Sequence, residues 1–284
     1  MTKIIALVDG SIYSRSVCDH AAWIARKTGS AIEISHVLGR RQTASDAANL
    51  SGNIALGART SLLEELSELD MQTAKLAQKR GRAILEDARL AIEAAGIDAV
   101  STRLRTGDLV EAISELEAEA DFVVIGKRGE AADFAKLHLG SNLERISRTC
   151  RKPVFVASRE FKPINRFLIA YDGGVSSMKA VDQVARNILF SGLQCRLLTV
   201  GPETEETRKG LNEARAKLEA AGYAVTADVI QGQPGEVISK LVETDGIDLL
   251  VMGAYGHSRI RSLIIGSTTT EMVRSCKIPV ALFR

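Results

Sequence analysis

Short apolar runs alternate along the chain with segments in which apolar residues recur at helical spacing. In the first part of the chain, this pattern predicts strands at residues 4–8, 31–37, 99–104, 122–125 and 154–157. It predicts helices at residues 14–27, 83–95, 109–118 and 141–148. Strands that alternate with helices favour parallel pairing through right-handed crossovers. The pattern therefore predicts the α/β class, with a doubly wound, Rossmann-like sheet and helices on both of its faces.

The second part of the chain repeats the pattern of the first. The segment KIIALVDGSIYSR matches the later segment FLIAYDGGVSSMK: each has an apolar strand, an Asp-Gly pair and a helix start that carries serine. Asp9 corresponds to Asp172 and Val37 to Val200 at one constant offset. The two parts are therefore copies of one unit, and we expect two tandem domains.

The expected domains cover residues 1–158 and 165–284, with an extra loop and helix at about residues 40–80 of the first domain. The offset between matching residues falls from 163 before this segment to 125 after it, so the first copy carries 38 additional residues. They begin polar and small and continue with leucines at helical spacing, namely Leu62, Leu66, Leu69 and Leu76. The pattern fits a surface loop and a helix that lies on the domain, and it also fits a lid or a partner-binding helix.

The composition excludes several classes of protein. The chain has 284 residues and a formal net charge of +2, without the clustered basic face that is typical of proteins that bind nucleic acid or anionic membranes. No apolar run approaches the roughly 20 residues that a bilayer span needs, and the apolar part of the N-terminus is too short for a signal peptide. The four cysteines include no C-x-x-C pair, which argues against a disulfide framework or a zinc site. We expect a cytoplasmic protein with reduced thiols.

A glycine-containing loop near the C-terminus is the strongest candidate for chemistry. An apolar run at residues 249–252 is followed by Gly253 and Gly256, then by nine residues, and then by Gly266 and Ser267. Thr268 and Glu271 have the S/T-x-x-E spacing of a helix start. A strand, a glycine loop and a helix N-terminus present unpaired N–H groups to an anion, and glycines let a phosphate approach the backbone. This arrangement predicts a phosphate-binding site.

The G-x-x-G-x₉-G-S spacing resembles the ATP-binding signature of the universal stress protein family, and both copies resemble the domain of that family. The resemblance implies a five-stranded parallel sheet in each domain, pairing of the two domains through their last strands, and binding of an adenine nucleotide. It implies that Asp172 contacts the nucleoside and that Val200 makes a backbone contact to adenine. It assigns the ribose and phosphates to Met252, Gly253, Gly256, Gly266 and Ser267, with Thr268 at the same helix start.

The first copy departs from this signature. Asp9, Val37, Gly126, Gly129, Gly140 and Ser141 are the corresponding site residues, but ten residues rather than nine separate its second and third glycines. Those ten residues have a formal charge of −1, whereas the equivalent nine in the second copy have +2. Lys127 and Arg128, between the first two glycines, partly offset the acidic charge. We predict that the second copy binds nucleotide more tightly, and binding in the first copy stays open.

Each candidate residue also has an ordinary structural explanation. Gly253 and Gly266 fit a tight turn with close helix packing, and Asp172 fits a helix N-cap. The histidines share no metal-ligand spacing, and His257 fits a solvated loop as well as a phosphate contact. The cysteines before the last strands fit buried, inert thiols better than redox sensors. We therefore predict no catalytic residue and no protein-bound metal.

Three functions remain open at this point. The first is a binding or regulatory module of the stress response that holds ATP, with or without Mg²⁺. The second is slow ATP hydrolysis or phosphoryl transfer at the same loop, and the third is a nucleotide-free interaction scaffold. Neither G-x-x-x-x-G-K-[ST] nor G-x-S-x-G occurs, which argues against a motor-type ATPase and an esterase. The expected binding partner is an adenine nucleotide. We also expect the two domains of one chain to pair with each other, and a homodimer is a further option.

Overall fold

The computed structural model of the chain describes residues 2–39, 56–129, 141–253 and 267–284. We call the part up to residue 157 the first half and the part from residue 166 the second half. The strands of the first half are β1 (Lys3–Leu7), β2 (Ala31–Leu38), β3 (Val100–Thr106), β4 (Phe122–Gly126) and β5 (Val154–Ala157). Its helices are α1 (Ser14–Thr28), α2 (Leu56–Ala94), α3 (Leu109–Leu116) and α4 (Ser141–Thr149), and a 3₁₀ turn, Glu117–Glu119, follows α3.

The second half has the same alternation of elements. Its strands are β6 (Arg166–Ala170), β7 (Gln194–Val200), β8 (Val225–Ile230), β9 (Leu249–Gly253) and β10 (Val280–Phe283). Its helices are α5 (Val175–Arg186), α6 (Glu205–Ala220), α7 (Pro234–Thr244) and α8 (Ser267–Ser275), and a 3₁₀ turn, Ile188–Phe190, follows α5.

The strands form a ten-stranded sheet in the order β3-β2-β1-β4-β5-β10-β9-β6-β7-β8. Neighbouring strands are parallel, except that β5 and β10 pair antiparallel with Phe155 opposite Ala281. Each half therefore contributes five parallel strands in the same order, and the predicted fold class is confirmed. As expected for the switch point of a doubly wound sheet, β1 lies beside β4 and β6 lies beside β9.

Helices cover both faces of the sheet. Ile4 and Ala6 of β1 belong to one apolar cluster and Ile5 and Leu7 to another, because successive strand residues point to opposite faces. Helices α1, α5 and α6 and the C-terminal part of α2 pack into the first cluster. Helices α3, α4, α7 and α8 pack into the second. Strands buried on both faces read as unbroken apolar runs, which is why the sequence pattern located them.

The linker between the halves, residues 158–165, is held at several points. The hydroxyl of Ser16 on α1 donates a hydrogen bond to the backbone carbonyl of Ser158 at 2.8 Å. Phe161 packs against the ring of His20, and the backbone N–H of Asn165 donates to Asp248 Oδ2 at 2.9 Å. These contacts tie the linker to both halves.

Helix α2 differs from the prediction. The sequence pattern predicts one helix at residues 83–95 and another within the extra segment, but α2 is one continuous helix of 39 residues, about 58 Å long at the usual rise. Its C-terminal part packs on β2 and β3, with Gly81, Leu85, Ala88 and Ile92 buried. None of residues 62–80 is buried. Residues 62–80 are helical, as expected for the extra segment, but they stand clear of the core, whereas the separately predicted part at residues 83–95 packs on the sheet.

Candidate functional site

Asp172 organises the turn between β6 and α5. Its Oδ1 accepts hydrogen bonds from the backbone N–H of Gly174 at 2.9 Å and from the hydroxyl of Ser177 at 2.6 Å. The N-cap residue of α5 is Gly174, so Asp172 does not cap the helix in the way the capping explanation supposes. Its second oxygen, Oδ2, makes no hydrogen bond with any residue that the structure describes. One carboxylate oxygen therefore holds the turn while the other is available to a ligand.

Asp9 organises the same turn in the first half, and it also lies beside Gly129 of the glycine signature. Its Oδ1 accepts from the backbone N–H of Ser11 at 3.0 Å and from the hydroxyl of Ser14 at 3.4 Å. A Cβ at Gly129 would lie 2.7 Å from Asp9 Oδ2. A side chain at Gly129 would therefore displace the carboxylate of Asp9. Two predicted site residues that are distant in sequence are in close contact.

A narrow cleft lies at the carboxyl end of β1, β2 and β4. Asp9, Val37, Gly126 and Gly129 border it, as do further residues that include Arg128. Its volume is about 70 Å³, which is room for roughly two water molecules of the liquid. Ligand pockets usually have about 300–1,000 Å³, so the described residues leave too little space for a nucleotide in this conformation.

A larger cleft, of about 800 Å³, lies at the carboxyl end of β6 and β7, between α5 and α6. It is not the counterpart of the narrow cleft, which residues of α3 and α4 line on the other face of the sheet. Asp172 and Val200 border the large cleft. Met252 and Gly253 are not among its described lining residues, and Met252 is buried in the core on the face that carries α7 and α8. The charged groups around it are the carboxylates of Asp172, Asp182, Glu206 and Glu213 and the ammonium groups of Lys179 and Lys209. Carboxylates accept hydrogen bonds from the hydroxyl and amino groups of a nucleoside, whereas they repel phosphate.

A buried hydroxyl without a hydrogen-bond partner lines each cleft. Ser35 Oγ borders the narrow cleft and Thr199 Oγ1 borders the large one, and neither has a partner within the described part of the chain. Leaving a buried polar group unpaired costs about 1–3 kcal/mol. Both oxygens are shielded from solvent in this conformation, so water or a ligand in the cleft would reach either one only after a small shift of the cleft wall.

The glycines at the ends of β4 and β9 allow close packing. A Cβ at Gly126 would lie 2.7 Å from Tyr13 Cβ, and a Cβ at Gly253 would lie 2.6 Å from the backbone carbonyl carbon of Ser176. The packing explanation for Gly253 therefore applies whether or not it also contacts a ligand.

The structure places two of the predicted helix starts. Ser141 begins α4 and Ser267 begins α8. Because α8 begins at Ser267, Thr268 is its second residue, and the interpretation of Thr268 as an N-cap is wrong by one to two positions, the usual uncertainty of a helix boundary. Gly140, Gly256 and Gly266 lie outside the described residues. The predicted charge difference between residues 130–139 and 257–265 falls outside them as well.

Lys127 does not have the role that its position between the first two glycines suggests, which is to offset the acidic charge of the following loop. Its ammonium group donates a hydrogen bond to the backbone carbonyl of Cys276, in the second half, and the side chain is buried. Burial lowers the pKa of Lys127 to about 8. Lys127 therefore contacts the end of α8 and does not border the narrow cleft, and Arg128 is the residue of this pair that borders it.

All four cysteines are buried. Burial raises the pKa of the Cys18, Cys150 and Cys195 thiols to about 12 and also raises that of Cys276. Thiols with such pKa values stay protonated at neutral pH, so they are poor nucleophiles.

The sequence reasoning missed several residues that line the clefts. His36 borders the narrow cleft, and its Nδ1 donates to the backbone carbonyl of Val8 at 2.7 Å, which leaves Nε2 as the acceptor in the neutral ring. Thr199 occupies the matching position in the second half. His36 and Thr199 directly precede Val37 and Val200, which the sequence analysis identified. Their position at the end of the second strand of each half could therefore have identified them as cleft residues.

Comparison with known proteins gives consistent results. The sequence model of the universal stress protein family matches residues 1–158 and 201–284. The chain is 38% identical to universal stress protein Slr1230 of Synechocystis over 287 aligned residues, which cover 100% of both chains. A universal stress protein of Thermus aquaticus is 31% identical over 134 residues, or 41% of this chain and 96% of its own length.

The fold is also similar to that of solved structures. The crystal structure of a universal stress protein from Archaeoglobus fulgidus matches with a TM-score of 0.73 and 21% identity, over 99% of this chain and 98% of that one. No helix in the described ranges is long and apolar enough to cross a membrane.

Proposed function

The chain belongs to the universal stress protein family, and we propose that it is an adenine-nucleotide-binding module of the stress response that holds ATP, primarily in its second half. The nucleoside would bind in the large cleft beside Asp172 and Val200. The phosphates would lie toward Met252, Gly253, Gly256 and Gly266 and the start of α8 at Ser267 and Thr268. The first half offers a second, weaker site at Asp9, Val37, Gly126, Gly129, Gly140 and Ser141.

One observation carries the proposal: the large cleft has room for a nucleoside and contains polar atoms without a partner. Thr199 Oγ1 is buried and unpaired within the described chain, and Asp172 Oδ2 accepts no hydrogen bond there. A nucleoside supplies hydroxyl and amino groups to Asp172 Oδ2 and, once the cleft wall shifts to expose it, to Thr199 Oγ1.

The charges also support this orientation of the nucleotide. The carboxylates that border the large cleft are suited to hydroxyl and amino groups and unsuited to phosphate. The N-terminus of α8, which follows β9, carries the positive end of a helix dipole and unpaired N–H groups. The two ends of ATP therefore have separate, chemically matched environments.

No group of three or more side chains suited to a metal ion occurs in the described ranges. Mg²⁺ typically binds through substrate phosphates and one or two carboxylates. If Mg²⁺ takes part, we therefore expect it to enter with the nucleotide.

The test uses two variants that leave the fold intact. Asp172→Asn keeps an Oδ1 acceptor for Gly174 and Ser177 but removes the charge. Thr199→Val keeps the shape and removes a hydroxyl that has no protein partner in the described chain. Calorimetric titration with ATP, with and without Mg²⁺, should show affinity about tenfold to a hundredfold lower for Asp172→Asn, and lower for Thr199→Val without loss of thermal stability.

The same titration distinguishes the alternatives. Unchanged affinity in both variants would contradict the proposed site, and absence of ATP binding to the native chain would leave the scaffold function. ADP in the recovered samples would indicate hydrolysis at the same site.

A further inference from the structure

Residues 62–80 of α2 carry a seven-residue repeat of leucine. Leu62, Leu69 and Leu76 are seven positions apart, and Leu66 and Thr73 each follow one of these leucines by four positions. This is the a/d spacing of helices that pair through a narrow apolar seam. We call Leu62, Leu66, Leu69, Thr73, Leu76 and Arg80 the leucine seam. Leu69 and Leu76 are 54% and 68% exposed, so no residue that the structure describes covers the centre of the seam.

The leucine seam does not continue the face of α2 that packs on the sheet. That face contains Gly81, Leu85, Ala88 and Ile92. At 100° per residue, the seam is rotated by roughly 110° from it around the helix axis. The hydrophobic core of this chain therefore does not account for the leucines.

The charges on the same segment are separated by sign. The N-terminal part carries Glu64, Glu65, Glu68 and Asp70, and the C-terminal part carries Lys75, Lys79 and Arg80. Two such helices attract each other when they run in opposite directions and repel when they run in the same direction. We propose that residues 62–80 pair antiparallel with the same segment of a second copy of this chain.

The antiparallel register follows from the seam. Leu66 faces Leu76 of the second copy, Leu69 faces Thr73, and Leu62 packs along the aliphatic stem of Arg80. A two-fold axis near residue 71 relates the helices, so every contact occurs twice, as in any isologous dimer.

This register brings Glu65 beside Lys79 of the second copy, at positions that flank the seam. Neither residue makes an ion pair or a hydrogen bond with the described part of its own chain. The register has one unfavourable contact, in which Asp70 lies near Asp70 of the second copy. Two attractive pairs of Glu65 with Lys79 outweigh this single repulsion.

Parallel pairing has the opposite balance. It would place Glu65 beside Asp70 of the second copy on both sides of the seam. It would also place Arg80 against Arg80 of the second copy inside the seam. Like charges in these positions destabilise paired helices. The sequence of the segment therefore selects the antiparallel partner.

The first test compares two side chains with nearly equal exposure on the same helix. Leu69 is 54% exposed and lies in the seam, whereas Met71 is 56% exposed and lies outside it. Sedimentation velocity over a wide range of protein concentration should show reversible dimerisation of the native chain. Leu69→Gln should abolish dimerisation and Met71→Gln should leave it unchanged. A native chain that stays monomeric at all concentrations would overturn the proposal, and so would equal effects of the two variants.

The second test exchanges the charges. Glu65→Lys and Lys79→Glu should each weaken dimerisation about tenfold, because each turns two attractive pairs into two repulsive ones. The double variant should dimerise like the native chain. A mixture of the two single variants should form a heterodimer, because both pairs are then restored.

The charge exchange also separates this surface from other modes of association. Dimerisation that persists in the single variants, or that the mixture does not restore, would show that another surface, such as a sheet edge, joins the copies. ATP is absent from these measurements, so their outcome does not depend on the proposed nucleotide site.

Discussion

The imidazole of His20 meets the ring of Phe161 edge-on, with the ring centroids 5.0 Å apart and an interplanar angle of 83°. Phe161 belongs to the linker, and His20 also contacts Phe155 of β5, with centroids 5.5 Å apart. Its Nδ1 donates to the backbone carbonyl of Ser16 at 2.7 Å. Burial lowers the pKa of His20 to about 4. A neutral imidazole therefore lies at the place where α1, the linker and β5 meet.

We predict that His20 makes the protein sensitive to acid. The folded pKa is about 4 and the unfolded value is 6.5, so the unfolded state binds the proton more readily between these pH values. The contribution of His20 is fully present above about pH 6.5 and is lost as pH falls toward 4. The free energy of unfolding should decrease by about 2 kcal/mol between neutral pH and pH 5 from this group.

The measurement is urea unfolding at several pH values. His20→Phe keeps a ring against Phe161 and Phe155 but cannot be protonated, so it should flatten the pH dependence in this window. An equally steep dependence in the variant would assign the effect to other groups.

A second prediction concerns the Asp-Gly turns. Gly10 and Gly173 have φ values of 78° and 77°, which disfavour any residue with a Cβ. A Cβ at Gly10 would lie 2.8 Å from Ile84 Cδ1, whereas nothing lies within 4 Å of one at Gly173. Gly173→Ala should therefore cost about 1 kcal/mol for the backbone alone, and Gly10→Ala about 1 kcal/mol more for crowding.

The difference can be checked by thermal unfolding of both variants. Ile84→Val removes the crowding methyl group, so the change Gly10→Ala should cost about as much in that background as Gly173→Ala costs in the native chain. Equal costs of the two glycine changes in the native background would show that α2 does not close over the first turn.

A third prediction separates packing from binding at Gly253. A Cβ there would meet the backbone of Ser176, which cannot move aside as a side chain can. Gly253→Ala should lower the free energy of unfolding by about 2 kcal/mol, within the range for overpacked sites. Gly210 on α6 is the control, because its Cβ would meet Tyr171 Oη at an ordinary 3.5 Å. Gly210→Ala should stabilise the helix by up to about 1 kcal/mol. Chemical unfolding of both variants tests this, and a harmless Gly253→Ala would refute the packing role.

A fourth prediction is that the halves bind ATP unequally. Residues 130–139 have a formal charge of −1 and residues 257–265 have +2, which favours phosphate binding in the second half. Asp172→Asn should weaken the tighter binding step, and Asp9→Asn should affect only a weaker one. Removing the acidic charge with Glu130→Gln and Asp133→Asn should strengthen the weaker step, most clearly at low salt, where screening is least. Calorimetry that finds two equal sites in the native chain would refute this.

The fold could be predicted from the sequence because most of its strands, all but the edge strands β3 and β8, are short apolar runs with largely buried residues. The pattern located β1 to within a residue, since an apolar run of that length has few other uses in a chain with helical neighbours. A helix in the extra segment could be predicted from its leucines, but its continuity with residues 83–95 and its separation from the core could not, because residues 62–80 lack the wide apolar face by which a helix on a core is recognised. A narrow seam gives a weaker signal than a buried face.

The candidate site was only partly predictable. Asp9 and Asp172 could be found because the turn after the strand repeats in both halves. The orientation of the Lys127 side chain could not be predicted from the sequence, because its partner, the backbone carbonyl of Cys276, is distant in sequence. Ser35 and Thr199 were missed because an unpaired hydroxyl can be recognised only when its surroundings are known.

The antiparallel pairing of β5 with β10 determines where the two clefts open. The strands of the first half all run in one direction and those of the second half in the opposite direction. The carboxyl ends of the two sets of strands therefore point in opposite directions along the strand axis of the continuous sheet. Ligands bound to the two halves would be separated by the length of the strands, so neither would obstruct or electrostatically repel the other. Any influence of one occupied cleft on the other would have to pass through contacts between the halves, such as the paired strands or the hydrogen bond of Lys127 with Cys276, and the protein could present two separately loaded ends to its surroundings.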